Sequence, residues 1–360
     1  MRAESDRLPG PVIAIVGPTA TGKSALSVAL ARALPPPSGQ QFGAEVVNAD
    51  SMQLYRGMDI GTAKVTAQEA AGVPHHLLDI WEVTQTASVE VYQRQAREVI
   101  ENVLKRGTVP LLVGGSGLYV RAVLDRMEFP GTDPALRARL EEELAQVGPA
   151  ALHARLAELD PQAAAAILPS NGRRIVRALE VVALTGRFNA QLPPPEPVYD
   201  ALRIGLDCDN ALLDERIAQR VERMWQAGFV DEVRALAAAG LRAGRTASRA
   251  LGYQQVLDYL DGRCDEEQAK AATVTATRRF ARRQRSWFRR DPRVYWVDAT
   301  RPDLLEVVLE KVAERFPQLI ERARPQSGPQ PPVEPVGQAN RAAGRGAGGV
   351  AEMAEVTERR

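Results

Sequence analysis

Two rhythms of apolar and polar positions run along this chain. Residues 12–16, 44–47, 109–113, 202–206 and 294–297 are short, almost unbroken apolar runs. Runs of that length predict strands buried on both faces, as in a parallel sheet. Between them, apolar residues recur every three or four positions over 25–34, 89–105, 212–239, 253–260 and 266–290. That spacing predicts helices with one buried face. Strands alternating with helices give an α/β fold, a mostly parallel sheet flanked by helices on both faces. In such sheets ligands bind beyond the carboxyl ends of the strands.

Between Pro130 and Pro197 the rhythm changes. Helical spacing covers 134–146, 150–159 and 173–184 with no strand between. We read 130–197 as a helical insertion, and 11–129 with 198–318 as the α/β core. From 319, and plainly after Arg324, the chain turns to Pro, Gly, Gln and Ala, which predicts a disordered tail to 360.

Bulk properties narrow the function classes. The chain has 360 residues, 45% of them hydrophobic, and a formal net charge of +1. A globally basic surface for nucleic acid is therefore absent, so any such site is a local patch. No apolar run approaches the ~20 residues that span a membrane. The N-terminal MRAESDRLPGP lacks the apolar core of a signal peptide. Two cysteines, Cys208 and Cys264, have no metal-like spacing and suit a reducing compartment. The expectation is a soluble cytoplasmic monomer without a membrane partner.

The chemistry starts where the first strand ends. Gly17, Pro18, Thr19, Ala20, Thr21, Gly22, Lys23 and Ser24 fit G-x-x-x-x-G-K-[ST] between a strand and a helix. The glycines let backbone N–H groups wrap a phosphate, and the following helix adds its positive end. Lys23 supplies a point charge, and Ser24 offers a hydroxyl to Mg²⁺. This is a P-loop, and the core is expected to be P-loop NTPase-like. The second strand delivers Asp50 to the same edge. A carboxylate there can hold Mg²⁺ through water, accept a proton from a nucleophile, or simply cap a turn.

Arginines cluster twice. Arg173, Arg174 and Arg177 lie on the insertion. Arg278, Arg282, Arg285 and Arg289 recur at helical spacing, widened by Arg279, Arg283, Arg290 and Arg293, with Phe280, Trp287 and Phe288 interleaved. Arginine with aromatics suits RNA phosphates and unstacked bases, and equally a solvated helix with its aromatics in the core. His75, His76 and His153 read as structural.

Together these pieces resemble the tRNA dimethylallyltransferases. The matching blocks are GPTATGKS at 17–24, NADSMQLYRGMDIGTAK at 48–64, PHHLLDI at 74–80 and GGSGLYVRA at 114–122. RRIVRALEV at 173–181, RIAQRVERMWQAGFVDEV at 216–233, ALGYQQ at 250–255 and TRRFARRQRSWFRR at 277–290 follow in the family's order. The resemblance implies that the P-loop holds dimethylallyl diphosphate with Mg²⁺, and that N6 of an adenine beside a tRNA anticodon attacks the allylic carbon. It implies Asp50 as base, with Thr19 and Arg220 as further catalytic residues. For the anticodon stem-loop it implies contacts from Asp50, Ser51, Met52, Gln53, Ser116 and Arg137, from Arg173, Arg174, Ile175, Val176 and Arg177, and from Arg249, Ala250, Leu251, Gly252, Tyr253 and Gln254. An adenylate dimethylallyltransferase, a P-loop small-molecule kinase and a non-enzymatic RNA-binding protein are the rival readings. The family's usual Gly-Gly-Thr-Gly is Gly-Gly-Ser-Gly here, and a Pro-rich stretch at 35–43 lengthens one loop.

Overall fold

The computed structural model describes residues 8–321. Six parallel strands form one sheet: β1 (Val12–Val16), β2 (Ala44–Asn48), β3 (His75–His76), β4 (Val109–Gly114), β5 (Ala201–Asp207) and β6 (Val294–Asp298). Their spatial order is β3-β2-β4-β1-β5-β6. The helices, in chain order, are α1 (Lys23–Ala33), α2 (Ala67–Ala70), α3 (Val89–Lys105), α4 (Gly117–Leu124), α5 (Pro134–Leu159), α6 (Pro161–Ala165), α7 (Gly172–Thr185), α8 (Asn210–Gln226), α9 (Phe229–Ala238), α10 (Tyr253–Leu260), α11 (Glu266–Phe288), α12 (Leu304–Arg315) and α13 (Pro317–Glu321).

β1 sits inside the sheet and is buried throughout, with Ile13 in register with Leu111 on one side and Leu202 on the other. Its side chains alternate between two cores, as a strand's period of two requires. Ile13 and Ile15 pack with Leu30 of α1 and with Val308 and Val312 of α12. Val12, Ala14 and Val16 share the opposite core with Tyr92, Phe229, Tyr253 and Phe288. Both faces are therefore covered, and the parallel order brings the ends of β1, β2, β4 and β5 to one edge.

The insertion has a core of its own, built from Leu140, Leu152 and Leu156 of α5 and from Ile175 and Leu179 of α7. α5 is broken at Gly148, and Pro149 starts its second half.

The structure revises three expectations. The helical run at 212–239 is two helices, α8 and α9, parted at Gly228. His75 and His76 form an edge strand paired with Val46 and Val47. α13, with Leu319 buried, carries the fold past the boundary expected at 318. The rest of the expected tail, 322–360, lies outside the described residues. Among the described residues no helix is long and apolar enough to cross a membrane.

Candidate active site

The loop after β1 is shaped by close approaches. Gly17 has φ +132°, and a Cβ there would lie 2.3 Å from the Leu206 carbonyl oxygen of β5. Only glycine fits that conformation beside that backbone. Thr21, fully buried, donates its hydroxyl to the Pro18 carbonyl at 2.8 Å. Lys23 Nζ donates to the same carbonyl at 2.6 Å. Burial pushes the Lys23 ammonium down to about 8; Asp50 opposes that shift and Arg220 adds to it.

Asp50 leaves β2 through a tight polar turn. Its N–H donates to Asn48 Oδ1 at 2.9 Å, and its Oδ1 accepts from the Met52 N–H at 2.9 Å. Asn48, buried, ties the turn to the Asp50 and Leu77 carbonyls, both at 3.0 Å. Oδ2 of Asp50 has no hydrogen-bond partner among the described residues. The turn and site readings of this aspartate are thus compatible: one oxygen builds the turn and the other is free. Next to it, Ser116 Oγ accepts from the Ser51 N–H at 3.2 Å and lies 3.3 Å from the Ser51 hydroxyl.

Arg220 reaches this edge from α8. It donates to Thr19 Oγ1 and to the Thr62 carbonyl, both at 3.1 Å. Burial lowers its pKa, against the pull of Asp50. Gln53 Nε2 donates to the Thr62 and Ala63 carbonyls at 3.2 and 3.3 Å. Lys23, Ser24, Asp50 and Arg220 all line one cavity of about 1180 Å³, and so do Arg216 and Arg223. The last two were not anticipated. Their spacing about Arg220 puts all three on one helix face, a signal present in RIAQRVER.

Two further residues hold this arrangement together. Gln284 of α11, buried, accepts from the Thr19 N–H at 2.9 Å and donates to the Gly115 carbonyl at 3.0 Å. A Cβ on Gly115 would lie 2.0 Å from Gln284, and one on Gly117 2.1 Å from the Trp287 ring. The Gly-Gly-Ser-Gly turn is therefore glycine-rich because α11 packs on it. Glu232 of α9 accepts from the Asp59, Ile60 and Gly61 amides at 3.1, 2.6 and 3.2 Å and from the Tyr253 hydroxyl at 2.6 Å. It anchors the loop whose Thr62 carbonyl holds Arg220. Both lie in blocks that match the family, at 277–290 and 216–233, but both act on residues distant in sequence, so their roles could not be read there.

The expected RNA-contacting residues fall into three groups. Asp50, Ser51, Met52, Gln53 and Ser116 gather at the sheet edge. Arg137, Arg173, Arg174 and Arg177 sit on the insertion, with Ile175 and Val176 buried in its core. Arg137 and Arg177 close on buried Glu180 at 2.6 and 2.7 Å. Arg174 donates to the Ala190 carbonyl at 2.6 Å. The third group, Arg249 to Gln254, includes buried Ala250 and Tyr253; Gly252 is pressed against the Phe229 ring. The side chains of Ile175, Val176, Ala250 and Tyr253 are thus turned inward and available only through their backbone. Nearby, Arg245 pairs with Glu141 of α5 at 2.7 Å, joining the third segment to the insertion.

Among the described residues no group of three or more His, Cys, Asp or Glu is arranged to hold a metal. His76 bonds Glu45 at 2.6 Å, and His75 bonds the Val73 carbonyl at 2.8 Å, in keeping with structural roles. A hard cation at the P-loop would draw on the Ser24 hydroxyl, the Asp50 carboxylate and the oxygens of a phosphate ligand. Mg²⁺ characteristically binds with few protein ligands and several from phosphate and water.

Residues 53–291 match the model of a family described as IPP transferase. The chain is 66% identical over 304 residues to the tRNA dimethylallyltransferase of Salinispora arenicola, covering 84% of this chain and 86% of that protein. It is 66% identical over 297 residues to the tRNA dimethylallyltransferase of Streptomyces coelicolor, covering 82% and 93%. Among solved structures it resembles a tRNA isopentenylpyrophosphate transferase from Bacillus halodurans, at 40% identity and a TM-score of 0.63, covering 85% of this chain and 97% of that one. A eukaryotic dimethylallyltransferase acting on tRNA matches with a TM-score of 0.67 and 27% identity, covering 85% of this chain and 76% of that one.

Proposed function

Because this chain belongs to the IPP transferase family, we infer that it transfers a dimethylallyl group from dimethylallyl diphosphate to N6 of the adenine beside a tRNA anticodon. Diphosphate is released. The observation that carries the chemistry is one cavity lined by the half-bonded carboxylate of Asp50 and by the cations Lys23 and Arg220. A carboxylate sharing a cavity with cations at a phosphate loop suits a reaction that takes up a proton at one end and sheds a polyanion at the other.

The diphosphate lies against the amides of Gly17 to Ser24, Lys23 and Arg220. As the adenine N6 bonds to the allylic carbon, the carbon–oxygen bond to diphosphate breaks. N6 is a poor nucleophile because its lone pair is delocalised into the ring, and it becomes acidic as the new bond forms. Asp50 takes that proton, a contribution of ~10²–10⁴ in rate for a placed base. Lys23 and Arg220 offset the charge that grows on the leaving oxygens, each on the order of 2–4 kcal/mol. Thr19 presents its hydroxyl where Arg220 already holds it. Mg²⁺ held at Ser24 would supply further charge neutralisation to the diphosphate.

The adenine reaches Asp50 only when flipped from the anticodon loop, at a cost of a few kcal/mol. In this reading the loop is received by Asp50 to Gln53 and Ser116. The stem is gripped by Arg137 and Arg173 to Arg177 on the insertion and by the Arg249 to Gln254 segment. The protein acts as a cytoplasmic monomer.

The test supplies labelled dimethylallyl diphosphate and Mg²⁺ with tRNA bearing adenines 3′ of the anticodon, and separately with AMP. Label in tRNA is expected. Label in AMP alone would replace this reading with an adenylate prenyltransferase, and phosphate transfer from ATP without prenylation would replace it with a kinase.

A further inference from the structure

The arginine and aromatic run on α11 is only partly accounted for by the reaction. Most of its charge is already committed. Arg282 bonds Asp214 at 2.7 Å and Arg278 approaches the same residue. Arg285 and Arg289 bond Asp207 at 2.6 and 2.9 Å. Arg279, Arg283 and Arg290 have no acidic partner among the described residues, and Arg290 borders a cavity.

That cavity, of about 210 Å³, lies between α4, the end of α11 and the segment returning from the insertion at Leu192 and Pro195. Arg121, Arg203, Arg290 and Arg293 line it against Asp125 and Asp291, so its wall carries excess positive charge. Asp125 is already neutralised: Arg293 binds both its oxygens at 2.7 and 2.9 Å, and Arg203 adds a bond at 3.2 Å. Nε of Arg121 is buried with no hydrogen-bond partner, 3.8 Å from Asp125. Trp287 is 37% exposed, whereas Trp81 of the core is 8% exposed. Its ring lies against Gly117 and is held there as a fixed wall. Gly117 follows Ser116, so the cavity begins one residue from the turn that abuts Asp50.

A free inorganic anion would have no use for the indole, and an apolar ligand none for the arginines. A nucleotide uses both: base on the aromatic face, phosphate on a guanidinium. We propose that this cavity takes a second unstacked nucleotide of the same tRNA, one flanking the target adenine, with its base on Trp287 and its phosphate on Arg290. The proposal rests on the tRNA reading above.

The test is steady-state transfer to an anticodon stem-loop RNA by the full-length protein. The RNA is used intact and with single abasic sites on either side of the target adenine. Trp287→Ala is expected to raise the KM for RNA about tenfold, and Trp287→Phe about threefold or less, because a phenyl ring keeps part of the stacking surface. Arg290→Ala should raise it about fivefold, with the KM for dimethylallyl diphosphate within about twofold in each case. Lys311→Ala, which removes one charge from α12 on the other face of the sheet, should change neither. One abasic RNA should lose about tenfold with the unaltered protein and nothing further with Trp287→Ala. Unchanged KM for RNA in both Trp287→Phe and Arg290→Ala would overturn the proposal, even if Trp287→Ala does not fold. So would an abasic penalty that is the same with and without the indole. Failure of the unaltered protein to modify any RNA would instead bring down the tRNA reading, and this proposal with it, before any variant is compared.

Discussion

The cavity at the P-loop and the helical insertion both present arginine, but they hold it differently. Around the cavity, Arg216, Arg220 and Arg223 line one wall with Lys23, and none forms an ion pair with a carboxylate among the described residues. On the insertion, Arg137 and Arg177 are closed on Glu180, which is fully buried and also accepts the Asp133 N–H at 3.0 Å. Uncommitted cations carry a desolvation cost, visible in the lowered pKa of Lys23 and Arg220. A diphosphate removes that cost on binding, so its charge is rewarded strongly. Arginines already shared with a carboxylate gain less from each new phosphate, but they keep a fixed geometry. The first arrangement suits tight capture of a small anion, the second the reading of a shape.

The comparison can be broken in order of expected effect. Asp50→Ala should lower kcat about 10³-fold and leave the Kd for tRNA within a few fold; loss of tRNA binding with chemistry otherwise intact would remove its role as base. Arg220→Ala should lower kcat/KM for dimethylallyl diphosphate about 10²-fold, measured beside the tRNA Kd. A larger effect on tRNA than on the diphosphate would show that its charge serves the RNA. Glu180→Ala should cost about 2 kcal/mol in chemical denaturation. That is below the 3–5 kcal/mol of a sealed ion pair, because Arg137 and Arg177 remain about a quarter exposed. It should also weaken tRNA binding without touching the KM for the diphosphate.

Gln284→Leu strands the Thr19 N–H and the Gly115 carbonyl, about 1–3 kcal/mol for unsatisfied buried groups. It should raise the KM for the diphosphate about tenfold, while Gln284→Glu, which keeps the acceptor for Thr19, should recover part of the loss. The smallest effect is on pH. The Lys23 pKa falls from its ordinary 10.5 to about 8, so its cation is present below that value and lost as pH rises through it. Diphosphate capture should therefore weaken about twofold between pH 7 and 8 and more steeply above. A flat profile to pH 9 would mean that Lys23 stays charged without its ligand.

Much of this was legible from local pattern. β1 and α3 lie where the periodicity puts them, because five apolar residues in a row and a three-to-four spacing each have one good solution. β3 was not legible: two histidines show no alternation, and they are extended only because β2 offers an edge. The break at Gly228 was hidden because the apolar spacing of α8 and α9 continues across it. At the site, GPTATGKS and the aspartate ending β2 could be read because a strand and a turn fix them locally. The pairing of the α11 arginines could not. Asp207 and Asp214 lie 64 to 82 positions earlier in the chain, and nothing in TRRFARRQRSWFRR says which of its arginines are already taken. Gln284 and Glu232 were missed for the same reason: apart from the Tyr253 hydroxyl on Glu232, their partners are backbone groups, which leave no mark in a sequence.

The Gln284 bridge also bears on the order in which the molecule is made. Thr19 leaves the ribosome early, yet the acceptor for its N–H lies 265 residues later. β5, against which Gly17 is pressed, is likewise made long after β1. A nascent chain that ends before β5 has the whole phosphate loop and neither support, and one that ends before α11 has β5 but not the Gln284 bridge. Capture of the diphosphate at full strength is therefore expected only once α11 has been made, near the end of synthesis.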